Sequence, residues 1–263
     1  MPVEQGSEYV ALGSSFAAGP GLSPRTAGAP RASGRSDSNY AHIAAGRLGL
    51  TLKDVTYSGA TIEDVLGGTA GRPPQIDALG PATRLVTVTA GGNDIGYLPA
   101  LTLASFPRPL RSIPTLRRRV TDFTDPASTD ERFRVLESSL TALIRAVQDR
   151  APDAQVVLVD YLTILPPNTP DDRGLDVLRS HPGGDLVTWG KGVASRLSAT
   201  FASVTSTHGG TFLEAGARSR EHHAWSPTPW TRQFHLSLRG GAPFHPNAAG
   251  MAAVAEMLVD GLS

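Results

Sequence analysis

Residues 84–94 read Arg-Leu-Val-Thr-Val-Thr-Ala-Gly-Gly-Asn-Asp, an apolar, β-branched run that ends in glycine and two polar side chains. This composition predicts a buried β-strand over 84–89, followed by a tight turn. The run from Tyr9 to Leu12, which ends at Gly13, has the same character and predicts a first strand. Three further runs are expected to form strands: 51–57, 156–160 and 211–213.

Between these strands, apolar residues recur at helical spacing. The clearest helix is 128–149, where Ser128 and Glu131 also match a capping box. Because strands alternate with helices and several strands are apolar on both faces, we expect a three-layer α/β/α sandwich. Its central sheet should be mainly parallel and five-stranded, within a single domain over 1–263. Other helices are expected over 40–48, 186–204 and 248–262, and an inserted loop over 166–172.

The composition excludes several classes of protein. The 263 residues are 40% hydrophobic and 18% charged, which is typical of a globular protein. The formal net charge is zero, whereas nucleic-acid binding proteins usually show a basic excess. There is no cysteine, which excludes disulfides and thiolate metal sites, and no apolar run approaches the roughly 20 residues of a membrane span. We expect a soluble protein without nucleic-acid partners, either cytoplasmic or secreted with its signal peptide absent from this chain.

One local cluster of charge is present, because five arginines fall between residues 108 and 119. A solvated loop and helix face is the ordinary interpretation of such a cluster. The alternative is a rim that attracts an anionic substrate or lipid headgroups. The cluster consists of Arg108, Arg111, Arg117, Arg118 and Arg119.

Small and polar residues follow three of the predicted strands. Ser15 comes directly after the first strand, Gly59 after the second, and Asn93 after the strand at 84–89. Sites in parallel α/β sheets form beyond the carboxyl ends of the strands, so these residues are expected at one edge. The Ser15 hydroxyl is a candidate nucleophile if a base removes its proton, and the alternative is that Ser15 caps the following helix.

His245 lies between Phe244 and Pro246, just before the last predicted helix. A neutral imidazole with the usual pKa of about 6.5 is a suitable general base. The alternative is a surface or hydrogen-bonded structural histidine. Asn247, as the N-cap of the last helix, fits both interpretations because capping would hold His245 in place.

Three groups are candidate donors to an oxyanion hole. The backbone N–H groups of Ser15 and Gly59 and the side-chain amide of Asn93 would stabilise a tetrahedral intermediate. The alternative is that Gly59 and Asn93 only shape tight turns, as we expect for Gly92. A hydroxyl, an imidazole and amide donors are what an enzyme needs to cleave an ester through a covalent acyl intermediate.

The chain resembles the SGNH, or GDSL-type, hydrolase family over nearly its whole length. The resemblance implies a flavodoxin-like α/β/α fold, a carboxylic-ester hydrolase of the esterase or lipase type, and no cofactor. It also implies that Ser15 is the nucleophile, His245 the base, and Gly59 and Asn93 oxyanion donors. Four blocks in the family's order carry it: Gly13-Ser14-Ser15, Ser58-Gly59-Ala60-Thr61, Gly91-Gly92-Asn93-Asp94 and His245-Pro246-Asn247.

Two positions depart from the family pattern. The first block usually reads Gly-Asp-Ser, and here its middle residue is Ser14. An aspartate usually stands three residues before the histidine, where this chain has Ala242. We favour a Ser–His dyad in which the backbone carbonyl of Ala242 orients His245, and a carboxylate from elsewhere in the chain is the alternative. Because a carbonyl stabilises imidazolium less than a carboxylate does, we expect activity to favour alkaline pH and activated or small-acyl esters.

The expected substrate is a small-molecule or lipid ester. Trp225, Trp230 and Phe234 are candidates to line an apolar acyl site, and the alternative is that they pack a long loop. The rival hypotheses are a non-catalytic lipid- or ester-binding module on the same fold and an acyltransferase. No metal site is expected, because the histidines show no standard ligand spacing. The oligomeric state stays open.

Overall fold

The computed structural model describes residues 3–168, 173–181, 184–236 and 241–262. Within them, five parallel strands form one sheet: β1 (Glu8–Gly13), β2 (Thr51–Asp54), β3 (Thr83–Thr89), β4 (Gln155–Val159) and β5 (Thr211–Leu213). Their order across the sheet is β2-β1-β3-β4-β5. The five-stranded parallel sheet expected from the sequence is thereby confirmed.

Helices connect the strands and cover the sheet. The helices of the described residues are α1 (Ser15–Ala18), α2 (Tyr40–Leu48), α3 (Ile62–Gly67), α4 (Gly92–Ile95), α5 (Tyr97–Ala104), α6 (Arg108–Arg111), α7 (Pro114–Thr124), α8 (Pro126–Arg150), α9 (Arg173–Arg179), α10 (Leu186–His208), α11 (Ala215–Arg218) and α12 (Ala248–Leu262). Short 3₁₀ turns lie at Arg31–Ser33, Gln75–Ala78 and Arg220–His222.

The strand order determines on which side of the sheet each helix lies. The connection through α2 leads from β1 toward one edge, whereas those through α8 and α10 lead toward the other edge. Because parallel crossovers are right-handed, α2 covers one face and α8 and α10 the other. Helix α12 packs against α2, and α8 packs against both α3 and α10. The result is the three-layer arrangement that the alternation of strands and helices predicts.

The core lies between the sheet and these helices. Strand β3 is buried on both faces except at Arg84, and the hydroxyls of Thr87 and Thr89 are hydrogen-bonded to tyrosine hydroxyls. The Oη atom of Tyr9 lies 2.7 Å from Oγ1 of Thr87, and that of Tyr40 lies 2.9 Å from Oγ1 of Thr89. Because these buried hydroxyls are hydrogen-bonded to each other, the core does not contain unsatisfied polar groups at these positions. The polar side chains of an otherwise apolar strand therefore do not weaken the core.

Helix α8 begins earlier than the sequence predicts. It starts at Pro126, because the carboxylate of Asp125 accepts a hydrogen bond from the Ser128 N–H at 2.8 Å and caps the helix. The predicted capping box of Ser128 and Glu131 is therefore wrong, and Glu131 pairs with Arg134 instead.

Strand β2 is shorter than predicted. It ends at Asp54 rather than at residue 57, because the Asp54 carboxylate accepts hydrogen bonds from the Thr56 N–H at 2.9 Å and from the Thr56 hydroxyl. These bonds turn the chain out of the sheet and into the loop that contains Gly59. The predicted loop at 166–172 lies partly outside the described residues.

Candidate active site

Three of the predicted site residues lie at the carboxyl ends of neighbouring strands. Ser15 follows β1 and opens α1, Gly59 lies in the loop after β2, and Asn93 lies in α4 just after β3. The chain leaves β1 toward β2 on one side, and β3 pairs with β1 on the other side. Such a switch in direction opens a crevice at the sheet edge, where α/β proteins bind their ligands.

Hydrogen bonds to the neighbouring strand hold the turn that presents Ser15. Gly13 has φ +142°, and a Cβ atom there would lie 2.5 Å from the Thr89 carbonyl oxygen, so only glycine fits. The Ser14 N–H donates to that same carbonyl at 2.8 Å. The Gln75 side chain accepts from the Gly13 N–H at 2.7 Å and donates to the Gly13 carbonyl at 3.0 Å. Ser15 therefore stands on a well-anchored turn.

Ser15 and His245 are in hydrogen-bond contact although most of the chain separates them. Nε2 of His245 lies 2.7 Å from Oγ of Ser15. The other ring nitrogen, Nδ1, lies 2.7 Å from the carbonyl oxygen of Pro243. Because a carbonyl oxygen can only accept, Nδ1 carries the proton and donates it to Pro243. Nε2 is then unprotonated and accepts a hydrogen bond from the Ser15 hydroxyl.

The carbonyl that orients His245 is one residue away from the predicted one. The prediction of Ala242 for this role is wrong, because its carbonyl accepts the backbone N–H of His245 at 3.4 Å instead. The physical reason lies at Phe244, whose φ of +63° is uncommon for a residue with a side chain. This left-handed backbone buries the Phe244 ring completely and aims the Pro243 carbonyl at the imidazole. Such conformations cluster at functional sites.

His245 has no acidic partner in the part of the chain that the structure describes: its ring nitrogens bond to Ser15 and Pro243. The pKa of His245 is lowered to about 4: burial is the largest cause, the bond to Pro243 offsets part of it, and the positive charge of Arg232 adds to the lowering. The Arg232 guanidinium is half-buried and donates to the Pro246 carbonyl. The imidazole is therefore neutral at neutral pH, which is the form that a general base needs.

The predicted oxyanion donors are available to a ligand. The backbone N–H groups of Ser15 and Gly59 have no hydrogen-bond partner among the described residues. The Asn93 amide donates to the Ala60 carbonyl at 2.9 Å, which holds it beside the Gly59 loop. An amide has two N–H donors, so one stays free for a substrate oxygen.

Asp94 ties the Asn93 helix to the Gly59 loop from the other side. Its carboxylate accepts the N–H of Ile62, the first residue of α3, at 3.0 Å. Burial raises the pKa of Asp94 to about 6. The sequence alone indicates no separate role for Asp94, because its function depends on a contact with a distant loop.

Tyr161 supports the site from the end of β4, although it is not among the predicted site residues. Its hydroxyl accepts the Gly92 N–H at 2.9 Å and lies beside the Ser14 hydroxyl. A Cβ atom at Gly92 would lie 2.9 Å from this hydroxyl, so the close approach requires glycine. The signal that would have identified Tyr161 is its place just beyond the end of β4, at the edge where site residues gather.

Phe16 fills the space between Tyr161 and the imidazole. The ring centroids of Phe16 and Tyr161 lie 4.6 Å apart, and those of Phe16 and His245 lie 5.1 Å apart. Phe16 itself is buried in the core. Its ring keeps water away from one side of the imidazole, and this exclusion is the burial that depresses the pKa.

The model of the GDSL-like lipase/acylhydrolase family matches residues 11–253 of the chain. The chain belongs to this family. It is similar to Lipase 2 of Streptomyces coelicolor, with 32% identity over 260 residues that cover 96% of this chain and 85% of that protein. The sequence-based identification as an SGNH-type ester hydrolase is thereby confirmed.

Solved structures bear out the fold of this GDSL family member. An extracellular lipase from Streptomyces rimosus superposes with a TM-score of 0.75 at 23% identity, over 97% of this chain and 98% of that one. A phospholipase A1 from Streptomyces albidoflavus gives a TM-score of 0.74 at 23% identity, with 97% and 98% coverage. None of the described helices has the length and hydrophobicity needed to cross a bilayer.

The three aromatic residues predicted to bind substrate occupy different surroundings. The rings of Trp225 and Phe234 each lie 6.4 Å from that of Phe244, the neighbour of the candidate base. Trp230 stacks on His222 with ring centroids 3.9 Å apart. Trp225 and Phe234 are therefore close to the site, whereas Trp230 packs within its own loop.

A cavity of about 420 Å³ lies beside the Gly59 loop. Tyr57 and Ala60, which flank that loop, form one wall, and Pro73 and Pro74 form another. Among the described residues, no group of three or more His, Asp or Glu side chains is placed to hold a metal ion.

Proposed function

We propose that this protein is a serine esterase or lipase that cleaves carboxylic esters through an acyl-enzyme on Ser15, with His245 as the general base. The observation that carries the proposal is the 2.7 Å contact between His245 Nε2 and Ser15 Oγ. The hydrogen bond from Nδ1 to Pro243 supports it, because it sets the tautomer in which Nε2 accepts a proton.

Acylation begins when Ser15 Oγ attacks the ester carbonyl carbon and its proton passes to His245 Nε2. The carbonyl oxygen becomes negative in the tetrahedral intermediate and is held by the N–H groups of Ser15 and Gly59 and the Asn93 amide. The imidazolium then gives its proton to the leaving alcohol oxygen as the C–O bond breaks. Water attacks the acyl-enzyme with the help of the same base, which releases the acid and returns the proton to Ser15.

The carbonyl of Pro243 takes the place that a carboxylate has in a Ser-His-Asp triad. A neutral carbonyl orients the imidazole but stabilises its charged form less. The resulting imidazolium is a strong acid, because burial disfavours the charged ring. Because forming that charged ring in the transition state costs free energy, we expect activated esters, whose carbonyl carbon is attacked most easily, to be cleaved fastest.

Lipid esters are the substrate class that the surroundings favour. The relatives include proteins described as lipases and as a phospholipase A1. Trp225 and Phe234 provide apolar surface around Phe244, the residue that precedes His245. The cavity beside Tyr57 and Ala60 offers space for one arm of the ester next to the Gly59 loop.

Turnover of a nitrophenyl butyrate by wild type and by Ser15→Ala tests the proposal. Loss of the nucleophile should reduce kcat by at least about 10⁴-fold, while the fold measured by circular dichroism stays the same. A burst of nitrophenol equal to the enzyme concentration would report the acyl-enzyme. Turnover retained by Ser15→Ala would overturn the assignment, and a wild type that binds ester without turnover would favour a non-catalytic module.

A further inference from the structure

A surface formed by α6, α7 and the residues between them concentrates positive charge. Five arginines fall between residues 108 and 119, and no aspartate or glutamate occurs between Asp94 and Asp122. The whole chain is neutral, with 24 basic and 24 acidic residues. We call residues 105–121, which include α6 and most of α7, the arginine surface. Its charge is local, so it attracts anions without giving the protein a net charge.

Three consecutive arginines of this surface have no acidic partners. Arg117, Arg118 and Arg119 are exposed on α7, and no ion pair joins them to another described residue. By contrast, Arg134 on the neighbouring helix α8 pairs with Glu131. Unpaired guanidinium groups keep all their donors for an external anion, and they suit phosphate oxygens through bidentate bonds.

Exposed apolar side chains lie among the arginines. Leu110 is 42% exposed and Ile113 is 40% exposed. Among the described residues, only two other large apolar side chains are as open to water, Val135 and Leu236. Removing such side chains from water is favourable, and a group of them on one surface marks an interaction site.

The arginine surface adjoins the candidate active site. Phe106, at its start, packs edge-on against Phe234 with ring centroids 5.9 Å apart. Phe234 packs in turn against Phe244, which precedes the candidate base His245. A partner bound on this surface is therefore delivered next to the site.

We propose that the arginine surface docks the protein onto an anionic lipid surface. The arginines would bind lipid phosphates, and Leu110 and Ile113 would enter the apolar boundary beneath the headgroups. A polyanion without an apolar phase would use the arginines but would leave these two side chains in water. The proposal rests on the proposed function in one respect, since docking brings lipid esters to Ser15.

Co-sedimentation with vesicles tests this docking independently of hydrolysis when it uses the full-length Ser15→Ala variant. The vesicles are phosphatidylcholine alone or with about one third phosphatidylglycerol. We expect strong binding only to the anionic vesicles. Changing Arg117, Arg118 and Arg119 to Gln together should weaken the partition coefficient more than about a hundredfold, at about fivefold per arginine.

Apolar variants and a matched control complete the test. Leu110→Ser with Ile113→Ser should weaken vesicle binding by about tenfold or more, whereas Val135→Ser, at a still more exposed site on α8, should not change it. Equal binding of the triple Gln variant and its parent, or no binding by the parent, would overturn the proposal. An apolar double variant that binds like its parent would also overturn it and would assign the surface to a soluble polyanion.

Hydrolysis of a soluble nitrophenyl ester separates this proposal from the proposed function. With Ser15 restored, the arginine and apolar variants should turn over the soluble ester at the wild-type rate, because no changed side chain touches Ser15 or His245. Loss of vesicle binding without loss of soluble turnover supports docking as a separate property. Vesicle binding by a wild type that cleaves no ester would leave docking intact and reject only the hydrolase assignment.

Discussion

This protein should stay active at pH values well below the pKa of an ordinary histidine. Burial, together with the positive charge of Arg232, lowers the pKa of His245 from 6.5 to about 4. Each pKa unit corresponds to about 1.36 kcal/mol, so protonating this imidazole in the folded protein costs about 3 kcal/mol more than in water. The neutral base should persist to about pH 5, and kcat/KM should fall only as the pH approaches 4. This expectation replaces the alkaline preference that the sequence alone predicts.

Substitution of Arg232 isolates one cause of the lowered pKa of His245. Arg232→Gln removes the positive charge that lowers the His245 pKa, so the acid limb of kcat/KM should move to higher pH. It should stay below 6.5, because burial is the largest cause and does not change. Arg232→Lys keeps the charge and is the matched control, whose limb should remain where the wild-type limb is.

The assay is the initial rate at low concentrations of a soluble nitrophenyl ester across the acid and neutral pH range, with circular dichroism recorded at each pH.

The same pH range also changes the stability of the fold. Burial raises the pKa values of Asp94 and Asp160 to about 6, so these carboxylates bind protons more readily in the folded protein than in the unfolded chain. Their contribution to stability becomes more favourable as the pH falls through 6. The contribution of His245 to stability changes in the opposite direction: it becomes less favourable as the pH falls below 6.5, because the unfolded chain binds the proton more readily than the folded one. A wild-type limb centred near 6.5 with the fold intact would refute the reasoning, since it would mean that the imidazole is solvated.

Three substitutions test the groups around the pair. Asn93→Ala should lower kcat by about 10²–10³-fold with little change in KM, and an unchanged kcat would remove Asn93 from the oxyanion hole. Tyr161→Phe leaves the Gly92 N–H without its acceptor, so urea unfolding should report a loss of about 1–3 kcal/mol; equal stability would mean that the bond does not matter. Gln75→Ala leaves the Gly13 N–H without its acceptor and removes one of two donors to the Gly13 carbonyl, which keeps its bond from the Tyr57 N–H, so it should cost at least as much as Tyr161→Phe in the same experiment.

The sequence predicts the sheet well because its strands carry strong local signals. The runs 9–12 and 85–89, which lie in β1 and β3, are apolar or β-branched, and a glycine follows each of them closely, Gly13 in β1 and Gly91 just after β3. Asn247 accepts the Gly250 N–H at 2.9 Å and caps α12, as the sequence predicts. The start of α8 was missed because Asp125 competes with Ser128 for the cap, and both residue types suit it.

The candidate site is only partly visible in the sequence. The blocks around Ser15 and His245 predict the contact that the structure contains. The choice between the carbonyls of Ala242 and Pro243 depends on the backbone of Phe244, which no local pattern announces because φ > 0 is rare outside glycine. Tyr161 acts across the sheet on Gly92, so its role depends on packing between distant segments rather than on any local motif.

Labelling with a fluorophosphonate probe, followed by mass spectrometry of the peptides, tests the central claim most directly. We expect one adduct on Ser15, none in Ser15→Ala, and a much slower reaction in His245→Ala, because the base is needed to activate the hydroxyl. Ser14→Ala, which changes the adjacent hydroxyl, should still be labelled at Ser15. An adduct on another residue, or equal labelling of the His245→Ala protein, would contradict a nucleophile and base formed by Ser15 and His245.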